Sequence, residues 1–181
     1  LHGDLHSGSI FINDSDIRVF DSEFSFYGPM GYDIGNVIGN LVFPYIVQKA
    51  YLKKDKKGNE QFIKWLGTTI QVIFDQTFAK MAGKYDQIVK FSFYRERHFK
   101  NQYLRSIKND TLGYAGTEII RRTVGDSKVI EITDIKDQKL QNLVMQILVK
   151  IGIKLILNRK VYNNGSEIVT DIDSIFNEMT K

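Results

Sequence analysis

The stretch Leu1–Asp33 reads LHGDLHSGSIFINDSDIRVFDSEFSFYGPMGYD and is the most informative part of the chain about its fold and function. Ile10–Ile12 is a short apolar run, and Ile17–Val19 alternates apolar and charged side chains as a half-buried strand does. Asn13–Asp16 lies between them and favours a turn, because short Asn, Asp and Ser side chains bond their own backbone. The stretch therefore predicts a β-hairpin.

Three acidic residues, Asp4, Asp21 and Glu23, fall at one end of this predicted hairpin, before its first strand and after its second. Carboxylates gathered in this way repel one another and need a cation or a proton. Residues 1–35 carry six acids and one base, whereas the rest of the chain has a net charge of +9. This acidic pole favours a Mg²⁺–phosphate site with one carboxylate left to handle a proton. Asp14 and Asp16, in the turn, are expected to be solvated.

Two motifs in this stretch resemble those of a known family. HGDLHSGSIFI, from His2, and DSEFSFYGPMGYDIG, from Asp21, are similar to the catalytic and metal loops of the aminoglycoside-phosphotransferase and choline-kinase-like branch of the kinase fold. The closer resemblance is to the 5-methylthioribose kinases. Ser22 stands where that family usually has proline. A third segment, EIIRRTVG from Glu118, resembles a family segment with a paired arginine.

The resemblance implies a role for each matching residue. Asp4 would accept or orient the proton of the substrate hydroxyl, and Asp21 and Glu23 would hold Mg²⁺. Ser9 occupies the place where protein kinases have a metal-binding asparagine, so it joins Asp21 as a cofactor-binding candidate. The implied substrate-binding residues are Asp4, Arg121 and Arg122.

Other interpretations of the same residues stay open at this point. Arg121 and Arg122 also suit the carboxyl end of a helix, where positive charge complements the helix dipole. Asp33 could be the N-cap of the next helix or a brace for the catalytic loop. His2 is expected to hold that loop by hydrogen bonding.

After Asp33 the sequence predicts a helical body. Apolar residues recur at helical spacing from Ile34, from Phe62, from Leu112, from Leu140 and from Ile168, and Pro44 is expected to kink or end the first helix. Residues 86–109 interleave aromatic and basic side chains. Such a segment can stack nucleobases, but we expect a helix whose aromatics face the core while its arginines snorkel.

The predicted fold class is α+β, mainly α-helical, and the resemblance implies the C-terminal lobe of a protein kinase-like fold with a short catalytic hairpin near its N-terminus. We expect one lobe over residues 1–181, with catalytic and metal loops in 1–33 and a helical body in 34–181. Because the chain starts inside a motif, an N-terminal nucleotide-binding lobe is expected to be missing from it.

The amino-acid composition limits the cellular compartment and the classes of binding partner that we expect. The 181 residues include no cysteine, which favours a reducing, cytoplasmic setting. The net charge of +4 comes from scattered bases, so nucleic acid is not an expected partner, and no apolar run of about 20 residues predicts a membrane span. The resemblance implies ATP, Mg²⁺ and 5-methylthioribose as ligands and a possible homodimer.

The leading hypothesis is an ATP-dependent methylthioribose kinase whose isolated fragment is inactive. The alternatives are a kinase of another small alcohol or an aminoglycoside, a non-catalytic kinase-like binding module, or a metal-dependent hydrolase. The hydrolase would use the H-x-D-x-H spacing of His2, Asp4 and His6 together with Asp21.

Overall fold

A computed structural model describes all 181 residues as a short hairpin followed by seven helices. A single 3₁₀ turn, Ser7–Ser9, leads into the antiparallel strands β1 (Ile10–Ile12) and β2 (Ile17–Val19). The helices are α1 (Gly31–Asp55), α2 (Glu60–Ile88), α3 (Ser92–Arg95), α4 (Arg97–Val124), α5 (Ile130–Thr133), α6 (Gln138–Leu157) and α7 (Gly165–Met179). The predicted class, α+β and mainly helical with a hairpin near the N-terminus, is confirmed.

Three helices begin at side chains that cap them. The side chain of Asn59 accepts a hydrogen bond from Phe62 N at the start of α2, and Asp137 and Asn164 cap α6 and α7 in the same way. Such caps satisfy backbone N–H groups that have no partner inside the helix. The polar segments of the sequence therefore fix where the long helices start.

The core is one cluster of 29 buried apolar residues. Every helix except α3 contributes to it, and Ile135 and Tyr162 join it from the connecting segments. Helix α4 lies between α1 and α6 and makes its largest contacts with these two. The expectation that Pro44 would end the first helix is wrong, because α1 continues to Asp55. Phe43 and Ile46 on either side of Pro44 are fully buried, so packing of that face outweighs the lost backbone hydrogen bond.

Glycines allow α4 to approach both neighbours closely. A Cβ atom on Gly35 of α1 would lie 2.5 Å from the carbonyl oxygen of Thr111 in α4. On the other side of α4, a Cβ on Gly116 would lie 2.5 Å from the carbonyl oxygen of Gly152 in α6, and one on Gly152 would lie 2.8 Å from that of Gly116. At both crossings the helices meet backbone to backbone.

The aromatic–basic segment differs from the prediction. Residues 89–91 and 96 interrupt the helix, and the aromatics do not face the core: Phe91 is 74% exposed and Phe93 is 69% exposed. Instead they pack on one another, as the edge-to-face contact of Phe93 with Tyr94 shows.

Helix α6 has the length and apolar composition of a membrane-crossing helix, contrary to the sequence expectation. It is also a core helix. One of its faces, including Val144, Ile147 and Ile151, is fully buried in the protein. Over the most apolar 18 residues of the helix, 39% is buried. Packing against α4 accounts for the apolar residues of this buried face, whereas Ile153 and Leu157 of the same helix are exposed.

Candidate active site

The hairpin brings the catalytic and metal loops to one end, as the spacing predicts. Its register pairs Ile10 with Val19, and Phe20 N donates to the carbonyl oxygen of Ser9, so the two chains are still side by side where the loops begin. The expected half-burial of the second strand is wrong, since Ile17 is 65% exposed and Val19 is 52% exposed. The sheet has only these two strands, and all of its residues except the partly buried Ile10 are exposed.

The catalytic loop is fixed to the first turn of α1. The carboxylate of Asp33 accepts hydrogen bonds from His2 N at 2.7 Å and from Gly3 N at 3.0 Å. Asp33 is therefore the brace of the loop, and no side chain caps α1. Gly3 has φ +91°, and a Cβ there would lie 2.0 Å from the carbonyl oxygen of Phe24 in the metal loop. Only glycine fits this crossing of the two loops.

His2 links the two loops by hydrogen bonds, as expected. Its Nδ1 accepts from Asp4 N at 3.4 Å, so Nε2 carries the proton that it donates to the carbonyl oxygen of Phe20 at 2.8 Å. Both ring nitrogens are thus engaged with the backbone. This arrangement disfavours the hydrolase hypothesis, which needs a free nitrogen on His2 to bind zinc.

The side chain of Asp4 lies half-buried between a histidine and an arginine. Its Oδ2 is 3.8 Å from His6 Nε2, and its Oδ1 is 3.6 Å from Arg122 Nη2. The fold thus places Arg122 of the paired-arginine segment beside Asp4, 118 positions away in sequence. Ser9 is buried, and its hydroxyl donates to the carbonyl oxygen of Asp4 at 3.4 Å. Its cofactor role stays a prediction.

Asp21 and Glu23 lie exposed at the same end of the hairpin. Asp21 has φ +67°, a left-handed conformation that aspartate tolerates better than most residues. The structure does not gather Asp4, Asp21 and Glu23 into one group that could hold a metal ion between them. Mg²⁺ usually takes only one or two protein carboxylates and completes its shell with water and substrate phosphate oxygens. The exposed oxygens of Asp21 and Glu23 fit that need.

Glu118 is a site residue that the sequence analysis missed. It is only 3% exposed, and its Oε2 accepts from Arg121 Nε at 3.0 Å and Arg121 Nη2 at 2.7 Å. Its Oε1 accepts from Arg122 Nε at 3.1 Å. The signal was present in the sequence, because an acid three and four residues before two arginines can pair with both on a helix.

A polar stripe on α1 runs beneath the loop and towards Glu118. Asp33, Asn36 and Asn40 follow one another at helical spacing on this face. Asn40 Nδ2 donates to Glu118 Oε1 at 3.4 Å. Asn36 is 4% exposed, and its Nδ2 has no hydrogen-bond partner. The stripe connects the brace of the catalytic loop with the carboxylate that holds the arginines.

Comparison with known proteins gives relatives over nearly the whole chain. A methylthioribose kinase of Cronobacter sakazakii is 32% identical over 174 residues, which is 95% of this chain and 43% of the relative. A methylthioribose kinase of Erwinia tasmaniensis is 34% identical over 182 residues, which is 97% of this chain and 42% of the relative. That of Yersinia pseudotuberculosis is 33% identical over 159 residues.

The chain is a homologue of the methylthioribose kinases. This similarity confirms the resemblance that the three motifs carry. The chain spans about two fifths of the length of these methylthioribose kinases, and no protein-family model matches it.

Proposed function

We propose that this chain is the catalytic lobe of an ATP-dependent kinase that phosphorylates the anomeric hydroxyl of 5-methylthioribose, a step of methionine salvage. The similarity to methylthioribose kinases over 95% of the chain carries the proposal. The contact of Arg122 with Asp4 supports it, because it joins the two motifs that the resemblance rests on.

Phosphoryl transfer needs positioning and charge neutralisation more than covalent help from the protein. In the proposed site Asp4 orients the sugar hydroxyl and accepts its proton. Arg121 and Arg122 bind the sugar or the transferring phosphoryl group, for which the planar guanidinium is well suited. Asp21 and Glu23 would hold Mg²⁺, which neutralises charge on the ATP phosphates when bound.

The proposal includes partners outside this chain. Residues that cover the ATP phosphates and bind adenine would come from an N-terminal lobe, and the whole protein would work in the cytoplasm as a homodimer. The 181-residue chain on its own is therefore expected to show no turnover. Turnover by the chain alone would contradict this part of the proposal.

The test is release of ADP by the complete protein with Mg²⁺–ATP and, in turn, 5-methylthioribose, choline or an aminoglycoside. Turnover with methylthioribose alone is expected. Turnover only with another alcohol would overturn the substrate assignment, and no turnover with any would favour the binding-module hypothesis. Asp4→Asn should abolish turnover but leave ATP binding intact, whereas Asp14→Asn, in the exposed hairpin turn, should leave both intact.

A further inference from the structure

The buried carboxylate of Glu118 divides its oxygens between two arginines. Oε2 accepts hydrogen bonds from Arg121 Nε and Nη2. Oε1 accepts hydrogen bonds from Arg122 Nε and Asn40 Nδ2. A carboxylate that is 3% exposed needs such partners to offset its lost hydration. The four donors meet this need.

The same contacts fix where the arginines point. With Nε of Arg122 held by Glu118, its Nη2 lies 3.6 Å from Asp4 Oδ1. Arg121 is bound to Glu118 in a fork, yet its side chain is 48% exposed, so its other guanidinium N–H groups face solvent. Free arginine side chains have many rotamers, and a group that must stabilise a transition state gains from being placed beforehand.

We propose that Glu118 is a positioning residue of the kinase site. It holds the guanidinium group of Arg122 beside Asp4 and fixes the neighbouring, half-exposed guanidinium group of Arg121, so that their remaining N–H groups can bind an oxyanion, namely the transferring phosphoryl group. The role rests on the proposed function.

Charge alone would predict a different outcome, which makes the role testable. Glu118, Asp4 and the two arginines sum to zero, and Glu118→Gln leaves this group at +1. If only charge mattered, the variant would bind ATP more tightly and retain turnover. If Glu118 positions the arginines, kcat should fall because a glutamine offers one acceptor oxygen to two guanidinium groups.

The experiment measures kcat and KM for methylthioribose and ATP in the complete protein, with Glu118→Gln and Glu118→Asp. We expect kcat to fall at least tenfold in Glu118→Gln with KM within about threefold. Glu118→Asp keeps the charge but is one methylene shorter, so it should restore only part of the loss. A kcat of Glu118→Gln within twofold of the wild type would overturn the proposal.

The matched control is Asp173→Asn on α7. This acid is less buried than Glu118, with a side chain that is 36% exposed, but it likewise binds a cation and a second donor, Lys49 and the Tyr45 hydroxyl, and it lies outside the site. It should lower stability and leave kcat unchanged. A fall in kcat equal to that of Glu118→Gln would mean that loss of any buried ion pair suffices, and would overturn the positioning role.

A second measurement separates this inference from the proposed function. Nuclear magnetic resonance of the arginine Nε–Hε groups does not depend on turnover. Exchange of the Arg121 and Arg122 Hε protons with solvent should be at least tenfold slower in wild type than in Glu118→Gln. Equal exchange in the two proteins would refute the positioning even if the enzyme is active; slow exchange in an enzyme inactive on methylthioribose would refute the substrate assignment alone.

Discussion

Replacing Gly35 with alanine tests whether the close crossing of α1 and α4 supports the site. In a helix interior, alanine is favoured over glycine by about 0.5–1 kcal/mol. The new Cβ, however, would lie 2.5 Å from Thr111 O and 2.9 Å from Ala115 N, inside the 3.4 Å of ordinary contact. The helices would have to separate by roughly 1 Å, and overpacking of this kind costs about 1–3 kcal/mol. We expect a net loss of about 1–2 kcal/mol in the free energy of unfolding.

The same separation should reach the chemistry. Helix α1 carries Asp33, which braces the catalytic loop, and α4 carries Arg122, so a shift between them changes the 3.6 Å approach to Asp4. Misplacement by about 1 Å can cost on the order of 100-fold in rate. Urea unfolding, followed by helical circular dichroism, and the ADP-release assay measure the two effects.

Gly83→Ala provides the control. Gly83 lies in α2, and nothing is within 4 Å of the position where its Cβ would be. The same substitution there should stabilise the protein by about 0.5–1 kcal/mol and leave kcat unchanged. If Gly35→Ala proved as stable and as active as Gly83→Ala, the close crossing would not matter and the reasoning would fail.

Three further predictions follow from the structure. Asp21→Asn should raise the Mg²⁺ concentration for half-maximal turnover at least tenfold, whereas Asp14→Asn should not change it. Burial and the hydrogen bond to Asp173 raise the pKa of Tyr45 above its usual 10.0, so stability present below pH 10 should be lost as pH rises above it, and Tyr45→Phe should flatten that loss in pH-dependent unfolding. Asn164→Ala removes the cap of α7 and should lower the free energy of unfolding of the protein by about 1 kcal/mol, seen as a lower thermal midpoint.

Each of these has a result that would contradict it. An unchanged Mg²⁺ requirement in Asp21→Asn would remove that residue from the metal site. An identical alkaline unfolding profile in Tyr45→Phe would show that the Tyr45 proton is not linked to folding. Asn164→Ser, which can still cap, should retain most of the stability, and an equal loss in both variants would mean that the cap contributes little.

Local features of the fold were predictable because they depend on neighbouring residues. The turn at Asn13–Asp16 and the start of α6 after Asp137 follow from side chains that bond the adjacent backbone. The continuation of α1 through Pro44 was not predictable in this way, since it depends on burial of Phe43 and Ile46 against other helices. The exposure of Phe91 likewise depends on tertiary packing, since no other element covers it.

The same distinction applies to the candidate site. That Asp4 and Asp21 lie at the same end of the hairpin could be predicted from the strand lengths and the turn position alone. The contact of Arg122 with Asp4 joins residues 118 positions apart in sequence, and only the packing of α4 on α1 creates it. The spacing of Glu118 to Arg121 and Arg122 was visible in the sequence, but its burial was not, because that depends on the packing of α4 against α1.

The reciprocal crossing of Gly116 and Gly152 has a genetic consequence. Each glycine faces the carbonyl oxygen of the other, so a larger residue at either position meets main chain that no substitution can remove. At Gly113, by contrast, a Cβ would meet only Arg159 Cδ, the stem of a flexible side chain. A search for second-site suppressors should therefore recover compensating changes for a defect at Gly113, and should return only reversion for defects at Gly116 and Gly152.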